Sequence, residues 1–270
     1  MRVPFGIAQV GKAFRNEITA RQFIFRKREF EQMEMQFFVH PDEAMEQYNK
    51  WKGIRWQYYL DLGIKEENLQ WHKHENLVFY AKEAYDIEYR YPFGFKELEG
   101  IHARGNYDLT QHSTHSGKDL SYLDPITNER YLPHIVETAV GVDRTVLAVL
   151  TDAYNEEEVN GEVRVVLKFH PRLAPVKVAV LPLSKKEEIT KYAEPLAAEL
   201  RKLYRTDYDE TQSIGKRYRR QDEIGTPYCV TVDFETATDN KVTIRERDSM
   251  VQERIALDQV GNYLKEKLGF

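Results

Sequence analysis

One cysteine, Cys229, stands among 270 residues. A lone thiol excludes an internal disulfide and a cysteine-cluster metal centre, and it fits a reducing compartment such as the cytoplasm. Long apolar runs are missing too. None approaches the roughly 18 residues of a membrane-spanning helix, so no membrane partner is expected. Met1-Arg2-Val3-Pro4-Phe5 lacks the pattern of a signal peptide. No segment repeats at a fixed period or is of low complexity. Nor is there an excess of positive charge: the net charge is −5, which excludes a general attraction to polyanions. The balance is uneven, however. Residues 165–270 hold 19 Lys and Arg against 17 Asp and Glu, a net of +2, and residues 1–164 hold 20 against 27, a net of −7. Any nucleic-acid surface must therefore be local. What is present is the profile of a folded soluble protein, 41% hydrophobic and 31% charged, long enough for one large domain or two ordinary ones.

Alternation marks the start of the chain. At strand period Arg15 and Glu17 share one face, and Phe14, Asn16 and Ile18 share the other. Strands are expected at about 7–18 and 28–39. In the second, Met33, Met35, Phe37 and Val39 form an apolar face, and Phe30, Gln32, Glu34 and Gln36 form the opposite one. Such a hairpin turns one wall to a core. The other wall offers arginines, carboxylates and aromatics, a floor suited to an anionic aromatic ligand such as a nucleotide. Pro41-Asp42 opens a helix to about residue 62, closed by Gly63. Strands follow at 77–80, 87–91 and 95–99, then a polar region over 100–119 and a strand over about 131–140. After Gly141 comes a helix with Val142, Val146, Val149, Leu150 and Ala153 on one stripe. Pro171 and Pro175 mark a linker. Beyond it the pattern is β-α-β. A buried strand is expected at 176–183 and a helix over about 189–203 with Pro195 as a kink or second start. A helix capped by Ser213 ends at Gly225. Strands at 228–234 and 242–247 and a last helix from about 257 complete the chain.

Several residues can carry chemistry. A guanidinium matches a phosphate with planar paired donors and keeps its charge, which singles out Arg15 and Arg144, the latter at a helix start after Gly141. Alone, either arginine is better explained by a surface ion pair; together, each within a distinctive local sequence, they favour phosphate binding. Glu17, Glu34, Glu97, Glu99 and Glu137 lie near strands, and a carboxylate can accept from an adenine amino group, hold an ammonium or bind Mg²⁺. Glu99 is expected to be a solvent-facing strand residue. Phe25 and Phe30 can stack on a purine or pack in a core. Lys216-Arg217-Tyr218-Arg219-Arg220 interleaves basic residues with an aromatic on a helix, which suits a phosphate backbone and an unstacked base, or a solvated face. His72, His74, His102, His112 and His115 have no zinc-motif spacing, and metal binding through them is not expected. Ser113 and Ser116 near two histidines form no recognisable nucleophile elbow.

Taken in order, these motifs resemble a known family. Phe14-Arg15-Asn16-Glu17 resembles motif 2 of class II aminoacyl-tRNA synthetases, and Gly141-Val142-Asp143-Arg144 resembles their motif 3. Arg28-Glu29-Phe30-Glu31-Gln32-Met33-Glu34 and Glu97-Leu98-Glu99-Gly100-Ile101 narrow the resemblance to the dimeric type of glycyl-tRNA synthetase. Ser213 to Arg220 and Ile224-Gly225-Thr226-Pro227 resemble that family's anticodon-binding domain. The resemblance implies an α+β fold. An antiparallel class II catalytic sheet with flanking helices would occupy 1–164, and an α/β mixed-sheet anticodon-binding domain 165–270. It implies glycine–tRNA ligase chemistry, with ATP as substrate, Mg²⁺, glycine and tRNA(Gly) as partners, and a cytoplasmic homodimer.

By resemblance, Arg15 holds the α-phosphate and Arg144 the γ-phosphate, as the two catalytic residues. ATP contacts extend to Asn16, Glu17, Phe25, Arg26, Arg28, Phe30, Glu97, Leu98 and Gly141, with Glu97 positioning the metal. Glycine contacts extend over Phe30, Glu31, Gln32, Met33, Glu34, Glu137 and Gly141, and tRNA contacts over Lys216, Arg217, Arg219 and Arg220. Two departures stand out. The family's Glu-x-Ser reads Glu137-Thr138-Ala139 here, and the family's region with motif 1, before motif 2, has no counterpart. The chain is therefore expected to be the C-terminal portion of a synthetase and a poor enzyme alone. A rival reading is a non-catalytic synthetase-like tRNA-binding or polymerase accessory protein.

Overall fold

A computed structural model describes residues 1–75, 77 and 82–269. The chain divides into two compact units, Met1–Thr151 and Asp152–Phe270. The first contains β1 (Phe5–Phe14), β2 (Glu29–Val39), α1 (Ala44–Asp61), β3 (Leu69–Lys73), β4 (Glu83–Tyr91) and β5 (Gly94–Gly105). It continues through α2 (Tyr107–Ser116), β6 (Tyr122–Leu123), β7 (Arg130–Tyr131), β8 (His134–Gly141) and α3 (Val142–Ala153). Among the described residues, six strands form an antiparallel sheet in the order β1-β2-β8-β5-β4-β3. One face, with Met33, Phe37, Ile87, Ile101, Val136 and Val140, packs against Tyr48 and Tyr59 of α1. Strand alternation leaves the other face polar. The expected strand at 77–80 lies, apart from Leu77, outside the described residues.

Three expectations for this unit change. β1 ends at Phe14, earlier than expected, because residues 15–28 make a long connection whose tip turns through Gln22 and Phe23, both at positive φ. The stretch 100–105, expected in a polar loop, continues β5. It pairs with β4 on one side and β8 on the other, and it buries Ile101 and Ala103, so two ladders of hydrogen bonds override its glycines. In α3 the buried positions are Thr145, Ala148, Asp152 and Ala153; of the expected stripe Ala153 is buried, whereas Val146 and Leu150 are exposed.

The second unit contains β9 (Tyr154–Val159), β10 (Glu162–Leu167), β11 (Val178–Pro182), α4 (Glu187–Arg201), β12 (Thr206–Tyr208) and α5 (Ile214–Ile224). It ends with β13 (Tyr228–Val232), α6 (Thr236–Asp239), β14 (Lys241–Glu246), β15 (Gln252–Ala256) and α7 (Val260–Leu268). A mixed sheet runs β12-β11-β13-β14-β15. β11 is parallel to both neighbours and wholly buried, as its unbroken apolar run predicts. α4 runs through Pro195 as one helix. Ser213 occupies the N-cap of α5 without a side-chain capping bond, and Gly225 ends the helix at φ +80°. A Cβ there would meet Phe169 Cδ2 at 2.4 Å, so the position demands glycine.

The division between units falls before the β9–β10 hairpin, not at 164/165, which lies inside β10. The cause is Arg164, a β10 residue only 1% exposed. Its Nε donates to Asp222 of α5 at 2.8 Å and its Nη2 to the carbonyl of Arg247. Arg245 donates to the same Asp222 carboxylate at 2.9 and 3.1 Å. A buried aspartate shared by two guanidiniums ties the hairpin to the second unit. No described helix is long and apolar enough to cross a membrane.

Candidate active site

The polar face of the first sheet carries the site. Strand register aligns Glu34, Ala139, Gly100 and Asp86 in one row across β2, β8, β5 and β4. Gln36, Glu137 and His102 form the next. Phe30, Gln32 and Gly141 continue the same face. Together with residues of the 15–28 connection and the start of α3, all of these but Asp86 and Gln36 line a cavity of about 250 Å³. Two irregularities in β5 aim its side chains. The pairing Ile87–Glu99, Glu88–Glu97 skips Leu98. This bulge turns Leu98, 1% exposed, into the core and leaves Glu97 on the cavity wall. A second shift between Ala103 and Gly105 sets Arg104 against Glu137.

One end of the cavity is basic. The Arg15 guanidinium stands 5.5 Å over the Phe30 ring and makes no ion pair with a described carboxylate. Arg144 lies 4.2 Å over Phe25 and donates to the carbonyls of Phe25 (3.3 Å) and Glu97 (2.9 Å). Its Nη1 is 3.3 Å from the Glu97 carboxylate. Arg26 pairs with Glu17 at 3.2 Å, and Lys27 with Asp143 at 3.1 Å. These bonds hold most of the cations in place. Arg15 keeps its donors available to an incoming anion.

The other end is acidic, about 13 Å away along β2 by the rise from Phe30 to Glu34. Buried Glu137 receives Gln36 Nε2 at 2.6 Å and Arg104 Nη1 at 2.6 Å, with His102 Nδ1 at 3.2 Å. Burial works to raise its pKa, but the hydrogen bonds from His102 and Gln36 and the charge of Arg104 outweigh it, and the pKa falls to about 2. Arg104 also grips Asp108 at 3.0 Å. Gln36 bridges Glu137 to Glu34, donating to the latter at 2.7 Å. The cavity therefore joins a cationic platform beside an aromatic ring to a pair of carboxylates.

Comparison with known proteins agrees with this arrangement. Residues 1–153 match the family described as tRNA synthetase class II core domain (G, H, P, S and T), and residues 177–267 match the anticodon binding domain. The chain belongs to the class II tRNA synthetases. A protein named glycine--tRNA ligase from Caldanaerobacter subterraneus subsp. tengcongensis is 56% identical over 271 residues, all of this chain and 58% of that protein. The protein of the same name from Clostridium acetobutylicum is 55% identical over 99% of this chain and 58% of its own length. That from Treponema denticola is 53% identical over 99% and 61%. The chain thus spans about three fifths of the length of these relatives.

As a class II synthetase core, the first unit gathers Arg15, Glu17, Phe25, Arg26, Phe30, Gln32, Glu34, Glu97, Glu137, Gly141 and Arg144 at one cavity. Other expected site residues lie elsewhere. Asn16 is exposed and off the lining. Arg28 braces the connection by donating to the carbonyls of Glu17 (2.9 Å) and Ile18 (3.2 Å). Glu31 and Met33 fall on the opposite face of β2, as two-residue periodicity requires, and Leu98 is core. Phe25 is 7% exposed, packed edge-on against Tyr91 and Phe93, so its edge is core and its face carries Arg144. Glu99, expected at the surface, is fully buried under α1. It accepts from Arg55 at 2.6 and 3.0 Å and from Tyr59 at 2.6 Å.

His102, Arg104, Gln36, Lys27 and Asp143 were not among the expected contacts. For His102 the alternation Ile101, His102, Ala103 was the available signal, hidden by reading 100–119 as a loop.

The basic run on α5 is the largest correction in the second unit. Arg217 is 2% exposed and donates to the carbonyls of Pro182 (2.6 Å) and Asp209 (3.0 Å). Arg220 binds Asp209, and Arg219 donates to the Val163 carbonyl at 2.9 Å and pairs with Glu162 at 3.2 Å. The Tyr218 hydroxyl meets Thr231 Oγ1 at 2.6 Å. Lys216 alone of the run is exposed. These cations knit α5 to its unit, because their partners are carbonyls and carboxylates close by in the fold.

Proposed function

We propose that this chain carries the glycine-activating and anticodon-reading parts of a glycine–tRNA ligase. The observation that carries the reading is one cavity with the Arg15 and Arg144 guanidiniums over aromatic rings at one end and the Glu34 and Glu137 carboxylates at the other. Arg15 binds the α-phosphate of ATP, where negative charge grows as the glycine carboxylate attacks. Arg144 holds the γ-phosphate, and Phe30 stacks on adenine, whose amino group donates to Glu17. Mg²⁺ enters with ATP. The exposed Glu97 carboxylate would hold such an ion beside the phosphate oxygens, whose charge it would offset. Glu34 and Glu137 receive the glycine ammonium. The protein supplies orientation and charge stabilisation. Attack breaks the bond to pyrophosphate, and a terminal ribose hydroxyl of tRNA then takes the glycyl group from the adenylate.

In this reading the first unit activates glycine and the second reads the anticodon. The C-terminal ends of parallel β11 and β13 are the natural reading edge. There Phe234, half exposed, lies beside Lys186, whose Nζ is 5.9 Å from the ring centre. An exposed ring beside a cation suits stacking on an unpaired base. Assembly as a homodimer belongs to the same reading. Exposed Val10 and Phe14 on the edge strand β1 are a surface that a partner would cover.

Glycine-dependent ATP–pyrophosphate exchange tests the proposal. Exchange with glycine and none with alanine or serine is expected. Faster exchange with another amino acid overturns the substrate. ATP binding that is negligible and equal in the wild type and Arg15→Ala overturns the enzyme and supports a binding module.

A further inference from the structure

Strand pairing brings together three ligating side chains that are far apart in the chain. His74 follows β3, its N–H donating to the Ala84 carbonyl at 3.1 Å. Asp86 lies on β4 and His102 on β5. One ligand atom from each lies within 4.8 Å of the others. Asp86 is buried, and both histidines are half-buried.

Three features separate this cluster from ordinary polar packing. The His74 Nε2 atom is buried and 2.8 Å from Asp86 Oδ2. The two ligand atoms converge on one space. His102 Nδ1 is 3.2 Å from Glu137 Oε1. That contact is the outer carboxylate which fixes the tautomer of a metal-bound histidine and leaves Nε2 as the ligand atom. Gly100, paired with Asp86, makes the room: a Cβ there would stand 2.8 Å from His102 Cε1 and 3.5 Å from Asp86 Oδ1.

We infer that His74, Asp86 and His102 bind one divalent transition-metal ion, with Glu137 as the outer partner of His102 and a fourth position open to water. Two imidazoles and one carboxylate select ions of the zinc and cobalt type over Mg²⁺ and Ca²⁺, which take oxygen ligands. In a tetrahedral site with bonds of about 2.0–2.1 Å the ligand atoms stand about 3.4 Å apart, so small side-chain rotations close the cluster. Bound there, the ion fixes the His102 ring and, through it, the Glu137 carboxylate on the cavity wall. The inference stands apart from the proposed reaction, since it needs only the sheet register and these four side chains.

Titration of the chelator-treated 270-residue chain with Co²⁺, followed by visible d–d absorption, tests it. The intense bands of low-coordinate Co²⁺ are expected to saturate at one equivalent. His74→Gln, Asp86→Asn and His102→Ala each abolish them, while the double variant His112→Ala/His115→Ala keeps them. Glu137→Gln weakens binding about 10- to 100-fold. Far-UV circular dichroism identifies variants that have lost their fold, and His74→Gln, beyond the edge strand β3, gives the decisive comparison. Absence of bands at one equivalent, or bands unchanged in folded His74→Gln, overturns the inference.

Discussion

Replacing Arg217 by methionine distinguishes an RNA-binding cation from a structural one. The guanidinium is 2% exposed and donates to the carbonyls of Pro182 and Asp209 at 2.6 and 3.0 Å. Charge-assisted bonds of this kind are each worth about 1.5–3 kcal/mol, so the gross loss is about 3–6 kcal/mol. Part is returned, because burial lowers the Arg217 pKa and its Nε is buried with no described partner. Removing a desolvated charge is favourable in itself. The net expectation is a loss of about 2–4 kcal/mol, or a melting temperature lower by about 10 °C. Native-state hydrogen exchange in β11 and α5 reads the change where it occurs. Lys216→Met, at an exposed position of the same helix, is the control and should stay within about 0.5 kcal/mol. Unchanged protection in Arg217→Met together with at least tenfold weaker tRNA binding would refute this reasoning and return the run to the RNA surface.

Other outcomes follow from the same geometry. Arg15→Ala removes a guanidinium that makes no ion pair with a described carboxylate, so calorimetry should show a folded protein with ATP binding weaker by about 1.5–3 kcal/mol, roughly 10- to 100-fold. Arg55→Met leaves the fully buried Glu99 with only the Tyr59 hydroxyl and should cost about 3–5 kcal/mol in urea unfolding. Adding Glu99→Leu should recover part of that loss. Acid should weaken the second unit through Asp209 and Asp233. Burial acts to raise both pKa values, but bonds from Thr211 and Arg220 at one, and from Arg254 at the other, hold them below the usual 3.8. Folded values below the unfolded ones mean stability that is complete above that range and lost as pH falls through it. Asp209→Asn should flatten the acid limb of a stability–pH curve.

Much of the site was legible because strand alternation is a local property. Phe30, Gln32 and Glu34 share a face whatever their strand pairs with, and Arg15, Glu17 and Arg144 belong to short stretches distinctive in themselves. Glu31 and Met33 entered the expected glycine contacts through resemblance, and the same alternation turns them away. Leu98 and Arg104 were not legible in this way. Each lies at a bulge, and a bulge depends on the register of a neighbouring strand that the local pattern does not contain. The burial of Glu99 depends on α1 delivering Arg55 and Tyr59 from 44 and 40 positions away. The stripe of α3 misled because helical spacing says which residues share a face and not which face meets the core.

The basic run and the histidines mark the boundary most clearly. Composition and spacing pointed to a chain in two parts, with strands and helices, and to a nucleotide-like floor, since periodicity and residue chemistry act over a few residues. Whether Arg217 meets RNA or the carbonyl of Pro182, and whether His74 and His102 meet each other at all, was decided by tertiary structure. Pairings across a sheet are fixed by the summed burial and hydrogen bonding of whole strands, and they join residues whose separation in the chain carries no mark of their being neighbours.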